Sequence, residues 1–270
     1  MSALQSRRNP MRGGFTLVEA LAVLAVVTVI LSIVVPTVSI ARGSARSASC
    51  QSNLRQLGVA AAGYAIQNRD RFPAAILQEV GPAGLVTRAW DFEHHPDGTI
   101  LPGILTAFLS QPTAVQQCPD YHGASNFGAE PFTGYNYNTT FIGAEGRFPE
   151  LGADGRWRDG WEVARHGLPP AQIRRTTTTA LFGEGGWRGG ANKFMRAPGN
   201  AVENDLQTIH AGTQAFRHQG CTNVCYLDGH VGGVCTCHES PHSTEALLDG
   251  VTGFPENGFL ASDDSPYDPR

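Results

Sequence analysis

Lysine is nearly missing from this chain of 270 residues: nineteen of its 20 basic residues are arginine, and Lys193 stands alone. We read that as a bias of composition and not as a site. Net positive charge is missing too. At −4 the chain excludes a strongly basic nucleic-acid binder, and no nucleic-acid partner is expected. The common catalytic signatures are absent: there is no G-x-S-x-G elbow, no H-E-x-x-H and no P-loop. Gly183-Glu184-Gly185-Gly186 is glycine-rich but matches no phosphate-binding pattern. No D-x-D-x-D-G calcium loop occurs either. His94, His95 and Asp97 have the chemistry of metal ligands, although adjacent histidines in a loop are usually solvated. The expectation is therefore no enzyme, no cofactor and no metal. Internal repeats and low-complexity tracts are also lacking, and residues 74–215 show no long helical period.

What the chain does have is one long apolar run. Phe15 to Val35 is 21 residues with a single charge, Glu19. At ~1.5 Å per residue it spans roughly 30 Å, the thickness of a bilayer's hydrocarbon core. Arg7, Arg8 and Arg12 precede it without an acid, and removing residues 1–35 leaves a remainder of net charge −6. A secretory signal peptide has a shorter apolar region, of roughly 7–15 residues. A plain membrane anchor fits the length but leaves Glu19 unexplained, since a carboxylate in a spanning helix is costly and points to function. Arg42, Arg46 and Arg55 follow the span closely, so charge alone does not orient it.

Gly14-Phe15-Thr16-Leu17-Val18-Glu19, after a short basic leader and opening an apolar helix, closely resembles the cleavage and methylation signature of type IV pilins and type II secretion pseudopilins. The resemblance implies cleavage after Gly14 by a prepilin peptidase/N-methyltransferase and methylation of the new N-terminal Phe15. It also implies pairing of Glu19 with the terminal amine of a neighbouring subunit. An ammonium and a carboxylate stranded in an apolar bundle are each costly alone and favourable together. Pro36 fits the same family. The resemblance places the leader in the cytoplasm, one span in the inner membrane, and the rest in the periplasm or outside.

Residues 37–68 read as helix, with Leu54, Leu57, Ala61, Tyr64 and Ala65 on one stripe. Asp70-Arg71-Phe72-Pro73 ends it, because a residue before proline avoids the helical region. Gly and Pro make up about 18% of the chain against roughly 12% in average proteins, so a head rich in loops is expected beyond it. Thr176 to Glu184 reads as a strand. The segments Ser49–Gly58, Gln117-Cys118-Pro119-Asp120 and Gly134–Asn138 resemble a large pseudopilin-like bacterial group (the DUF1559-like domain). That group carries an H-X9-DG motif near its C-terminus, matched here by His218, Asp228 and Gly229. These residues either shape a hairpin or contact a ligand or partner.

Six cysteines lie at 50, 118, 221, 225, 235 and 237. The run Cys221-x3-Cys225-x9-Cys235-x-Cys237-His238-x3-His242 lacks the C-x2-C zinc knuckle, so disulfides are favoured over zinc in an exported chain. Asp228-Gly229 is a hairpin signal. A two-residue loop would put the cysteines of the two arms on opposite faces. A three-residue loop, Leu227-Asp228-Gly229, pairs Tyr226 with His230 and sets Cys221 opposite Cys235, with Gly229 in the left-handed region. The three-residue loop and a Cys221–Cys235 pair are expected, with Cys50–Cys118 as a second candidate disulfide.

The expected fold is α+β: a long N-terminal helix followed by a loop-rich head with an antiparallel sheet. The expected segments are a leader (1–14), a transmembrane helix (15–35), a stalk helix (36–70), a head (71–255) and a poorly ordered acidic tail (256–270). By resemblance the chain is a structural or accessory subunit of a pilus-like or type II secretion-like assembly, with other pilins or pseudopilins and a membrane platform as partners. The alternative is an anchored, envelope-exposed protein whose head binds a sugar, polymer or metal.

Overall fold

The computed structural model describes residues 16–110, 115–126, 128–143, 150–151, 157–158, 167–199 and 206–270. Two compact units divide it, residues 1–44 and residues 45–270. The fold is α+β, a long apolar N-terminal helix followed by a head of antiparallel sheets.

One helix runs from Leu17 to Gln67 and contains Pro36. Its first part meets the length and composition needed to cross a membrane, and its apolar side chains are exposed on all faces. Helical hydroxyls there are satisfied locally. Thr28 and Ser32 donate to the carbonyls of Ala25 and Val29, at 2.9 and 2.7 Å. Thr37 donates to those of Ile33 and Val34, at 3.1 and 2.9 Å, in the turn where Pro36 lacks an N–H. Such back-bonding lets polar residues sit in an apolar span without orphaned groups.

From Cys50 onward the same helix belongs to the head. Cys50, Leu54, Leu57, Ala60, Ala61 and Ala65 are buried, which makes this stretch the core's spine and not a free-standing stalk. Burying each leucine contributes about 1.5–3 kcal/mol. The helix ends at Gln67, three residues before the expected Asp70, because Arg69 and Asp70 both take positive φ.

The spine packs on a five-stranded sheet. Its order is Val231–Val234, Thr222–Tyr226, Ala180–Gly183, Asn136–Asn138, Phe194–Met195. All neighbours are antiparallel except the last pair, which is parallel. The strand expected over Thr176–Glu184 starts only at Ala180, after a turn. Tyr137 stacks on Phe182 with ring centroids 4.8 Å apart, and Trp90 lies 5.4 Å from Phe182. A separate antiparallel meander covers Ile76–Gly81, Gly84–Ala89, Phe92–His94 and Ile100–Pro102. The segment 256–270 corrects the expectation of a poorly ordered tail. Tyr267 is fully buried, its carbonyl accepts from Asn138 Nδ2 at 2.9 Å, and its hydroxyl accepts from the Leu260 N–H at 2.8 Å.

Helix and sheet pack tightly at Gly58, where a Cβ would lie 2.6 Å from Cys225 Sγ. Alanine would favour the helix by about 1 kcal/mol over glycine, but the overpacking costs about 1–3 kcal/mol. Gly58→Ala should therefore destabilise the head in denaturant melts. In a Cys225→Ala background the same change should be neutral or stabilising. Equal losses in both backgrounds would contradict this packing.

Candidate functional site

Two regions concentrate chemistry. The first is the start of the helix. Gly14 and Phe15 lie outside the described residues. Next to them, Glu19 Oε2 accepts from the Thr16 N–H at 2.9 Å and from its hydroxyl at 2.8 Å, while Thr16 Oγ1 accepts from the Glu19 N–H at 3.3 Å. This reciprocal pattern is a capping box, which fixes where the helix begins. Glu19 is exposed among exposed apolar neighbours. In lipid a charge so placed calls for a partner.

The second region is inside the head, where four segments distant in sequence converge. Cys50 comes from the helix, Cys118 from the turn before Pro119, Glu184 from the residue after strand Ala180–Gly183, and His218 from just before strand Thr222–Tyr226. All four are buried, and one ligand atom from each lies within 4.8 Å of the others. The sulfurs of Cys50 and Cys118 are 3.1 Å apart, against about 2.05 Å for a bond. The expected second disulfide is thus a contact between free thiols, and the structure corrects that expectation.

His218 and Glu184 are held by further partners. His218 Nε2 lies 2.7 Å from Glu184 Oε1. Nδ1 lies 2.9 Å from Asp120 Oδ2, off the line of a hydrogen bond, and has no hydrogen-bond partner. Glu184 also accepts from the Asn223 N–H at 3.2 Å and from its side-chain amide at 3.1 Å. Strand alternation points Asn223 and Cys225 to the same face. Asn223 Oδ1 there accepts from Gln51 Nε2 at 2.9 Å, tying helix to sheet. Asp120 pairs with Arg46 at 2.9 Å. Arg217 stacks on the Tyr121 ring, 4.6 Å from its centroid.

Burial lowers the affinity of the His218 imidazole for its proton, but hydrogen bonding to Cys118 and Glu184 outweighs it and raises the pKa to about 10. Cys118 moves down to about 5 through its bond to Cys50, with burial opposing and His218 and Arg217 assisting. Cys50 moves up, since it bonds to the Cys118 sulfur and is buried. Cys118 is thus the more acidic of the two thiols, chiefly because it accepts the bond from Cys50 and secondarily because His218 and Arg217 lie on its side.

The other sequence candidates do not join this cluster. Asp228 and Gly229 sit in the hairpin loop at the far end of the strand from His218. Asp228 accepts from the His230 N–H at 3.1 Å, and Gly229 has φ +88°. The nine-residue spacing therefore separates two jobs: Asp228 and Gly229 shape the loop, while His218 faces the buried cluster. The loop has three residues, Tyr226 donates its N–H to the His230 carbonyl at 2.9 Å, and Thr222 pairs with Val234. This register sets Cys221 opposite Cys235, and the two are disulfide-bonded with Cα atoms 4.0 Å apart. Cys225 is buried against Gly58, and Cys237 packs near Gly258. His94 and His95 pair with Glu130 and Glu93 at 2.8 and 2.7 Å, and Asp97 accepts from the Thr99 N–H at 2.9 Å. They form no common site.

Sequence reading also missed Lys193. It is buried, 2.7 Å from Asp91 Oδ1 and ion-paired with Glu130, which in turn contacts His94. A lone lysine carries no pattern that would reveal this.

The family model described as the prokaryotic N-terminal methylation motif matches residues 9–35, which cover the end of the leader, Phe15, Glu19 and the apolar run. Neither the curated proteins nor the solved structures compared with the chain match it. The chain carries a type IV pilin-like N-terminal signal, which implies processing by a prepilin peptidase and assembly with other pilins, on a helix suited to membrane anchoring.

Proposed function

We propose that the protein is a non-enzymatic, pseudopilin-like subunit of a pilus-like or type II secretion-like envelope assembly. Its leader lies in the cytoplasm, its helix spans the inner membrane, and its head stands in the periplasm or outside. The observation that carries this reading is the methylation motif over residues 9–35, laid on an uncovered apolar helix that bears one carboxylate near its start. Helix-to-helix packing in a membrane assembly would cover that surface, and the carboxylate would meet the amine released at Phe15. The H-X9-DG resemblance supports placement in the DUF1559-like group.

Intact-mass and N-terminal peptide analysis of the chain from its native membrane should find a start at Phe15 carrying one N-methyl group. A mature chain beginning at Met1 or at Arg42 would overturn the reading. Sheared surface fibres or cross-linked membrane complexes should contain the processed chain. The rival reading, an anchored binding protein, predicts a processed chain absent from both.

A further inference from the structure

We propose that Cys50, Cys118, Glu184 and His218 bind one zinc-class divalent cation as a closed, structural site. This does not rest on the pilin-like reading, since it concerns only the interior of the head.

The four donor atoms lie close enough together to surround one ion. Zinc with thiolate ligands at about 2.3 Å and nitrogen or oxygen ligands at about 2.0–2.2 Å needs ligand-to-ligand edges of roughly 3.3–3.8 Å. The two sulfurs are 3.1 Å apart, His218 Nε2 and Glu184 Oε1 are 2.7 Å apart, and no pair in the set exceeds 4.8 Å. The contacting atoms need to part by about half an ångström to an ångström to admit the ion. Two thiolates with an imidazole select zinc over calcium or magnesium, which prefer all-oxygen shells.

A Cys50–Cys118 disulfide is the competing use of these sulfurs, and it accounts for less. It would employ two of the four groups and leave the Glu184–His218 pair beside an apolar bridge without a part in it. A cation employs all four. His218 Nδ1, buried without a hydrogen bond, also gains a role, either as the ligand atom or as the ring nitrogen that Asp120 orients from outside. Asn223 on Glu184 and Asp120 beside His218 are the outer supports that metal ligands usually have. Two thiolates, one carboxylate and a dication leave one negative charge, and Arg217 lies close enough to Cys118 to act on it. With four protein ligands no position remains for a reacting molecule, so the role is structural. The ion would clip the helix, the Cys118 turn, the end of the Ala180–Gly183 strand and the start of the hairpin to one point.

The test uses the full chain in detergent micelles, purified without reductant or chelator. Elemental analysis should find about one zinc per chain. After the metal is stripped, titration with Co²⁺ should give thiolate-to-cobalt charge transfer in the near ultraviolet and strong tetrahedral bands in the visible, saturating at one equivalent and abolished by Zn²⁺. Cys118→Ser should weaken Co²⁺ binding at least roughly tenfold, and Asp120→Asn by about 10–100-fold with the charge-transfer band retained. A Cys225→Ala, Cys237→Ala chain should titrate like the wild type, which excludes the other free thiols as the source. Two results would overturn the proposal. One is a wild-type chain with free Cys50 and Cys118 thiols but no charge-transfer band. The other is mass spectrometry of unreduced protein showing Cys50 bonded to Cys118.

Discussion

Glu19→Ala is expected to leave the chain inserted and cleaved but to deplete it from fibres or complexes by roughly tenfold or more. The side chain has two separable roles. Within the chain it closes the capping box with Thr16; between chains it would neutralise an amine that lipid cannot solvate. Removing the carboxylate eases insertion, so loss of assembly would not reflect a failed anchor. Glu19→Gln separates the roles, because glutamine at this position still completes a capping box while carrying no charge. Both variants should be depleted from sheared or cross-linked assemblies when compared with equal amounts in the membrane. If the glutamine variant assembles like wild type and the alanine variant does not, helix capping is the function and charge pairing is wrong.

Lys193→Met should be the most damaging single change within the head. It leaves the Asp91 and Glu130 carboxylates buried without their cation. Breaking a buried pair by removing one partner costs about 3–5 kcal/mol, which for a head of this size lowers the melting temperature by roughly 6–20 °C. Adding Asp91→Asn and Glu130→Gln to Lys193→Met should recover most of the loss, because the uncompensated charges go with it. Arginine is no substitute, since its planar fork needs a different cradle. A single variant as stable as wild type would refute the role given to this cluster.

The same cluster sets a pH dependence. Burial raises the Asp91 carboxyl from 3.8 to about 6, with Lys193 opposing and Glu130 assisting. Between those values the folded state holds a proton that the unfolded state has released. Asp91's contribution to stability is therefore present below about pH 4 and is lost as pH rises through about 6. Stability measured relative to Asp91→Asn should fall over that interval. A flat difference would show that Lys193 holds Asp91 ionised throughout.

How much of this was legible beforehand depended on whether the signal was local. The apolar span was legible because one uninterrupted run with one charge has few physical explanations. The hairpin register was legible because strand alternation and loop length fix it by counting, and Gly229 supplies the one conformation the longer loop demands. The buried cluster was legible only in part. Cys50 and Cys118 were expected as a pair, but His218 lay in the hairpin motif and Glu184 ended a strand; only the packed sheet brings the four together. Lys193 and Tyr267 failed for a related cause. Composition marked one as a bias and the other as part of an acidic, proline-rich tail, and composition does not record where a side chain points.

The spine buried between Cys50 and Ala65 has a consequence for the order in which the protein can fold. Its partners are distant in the chain: Cys50 meets Cys118, Gln51 meets Asn223, and Gly58 meets Cys225. Synthesis delivers the spine early and these partners late, and non-local closure is intrinsically slow. The helix therefore waits, with its inner stripe uncovered, until the hairpin has been made. The head therefore closes late, once its last strands are available.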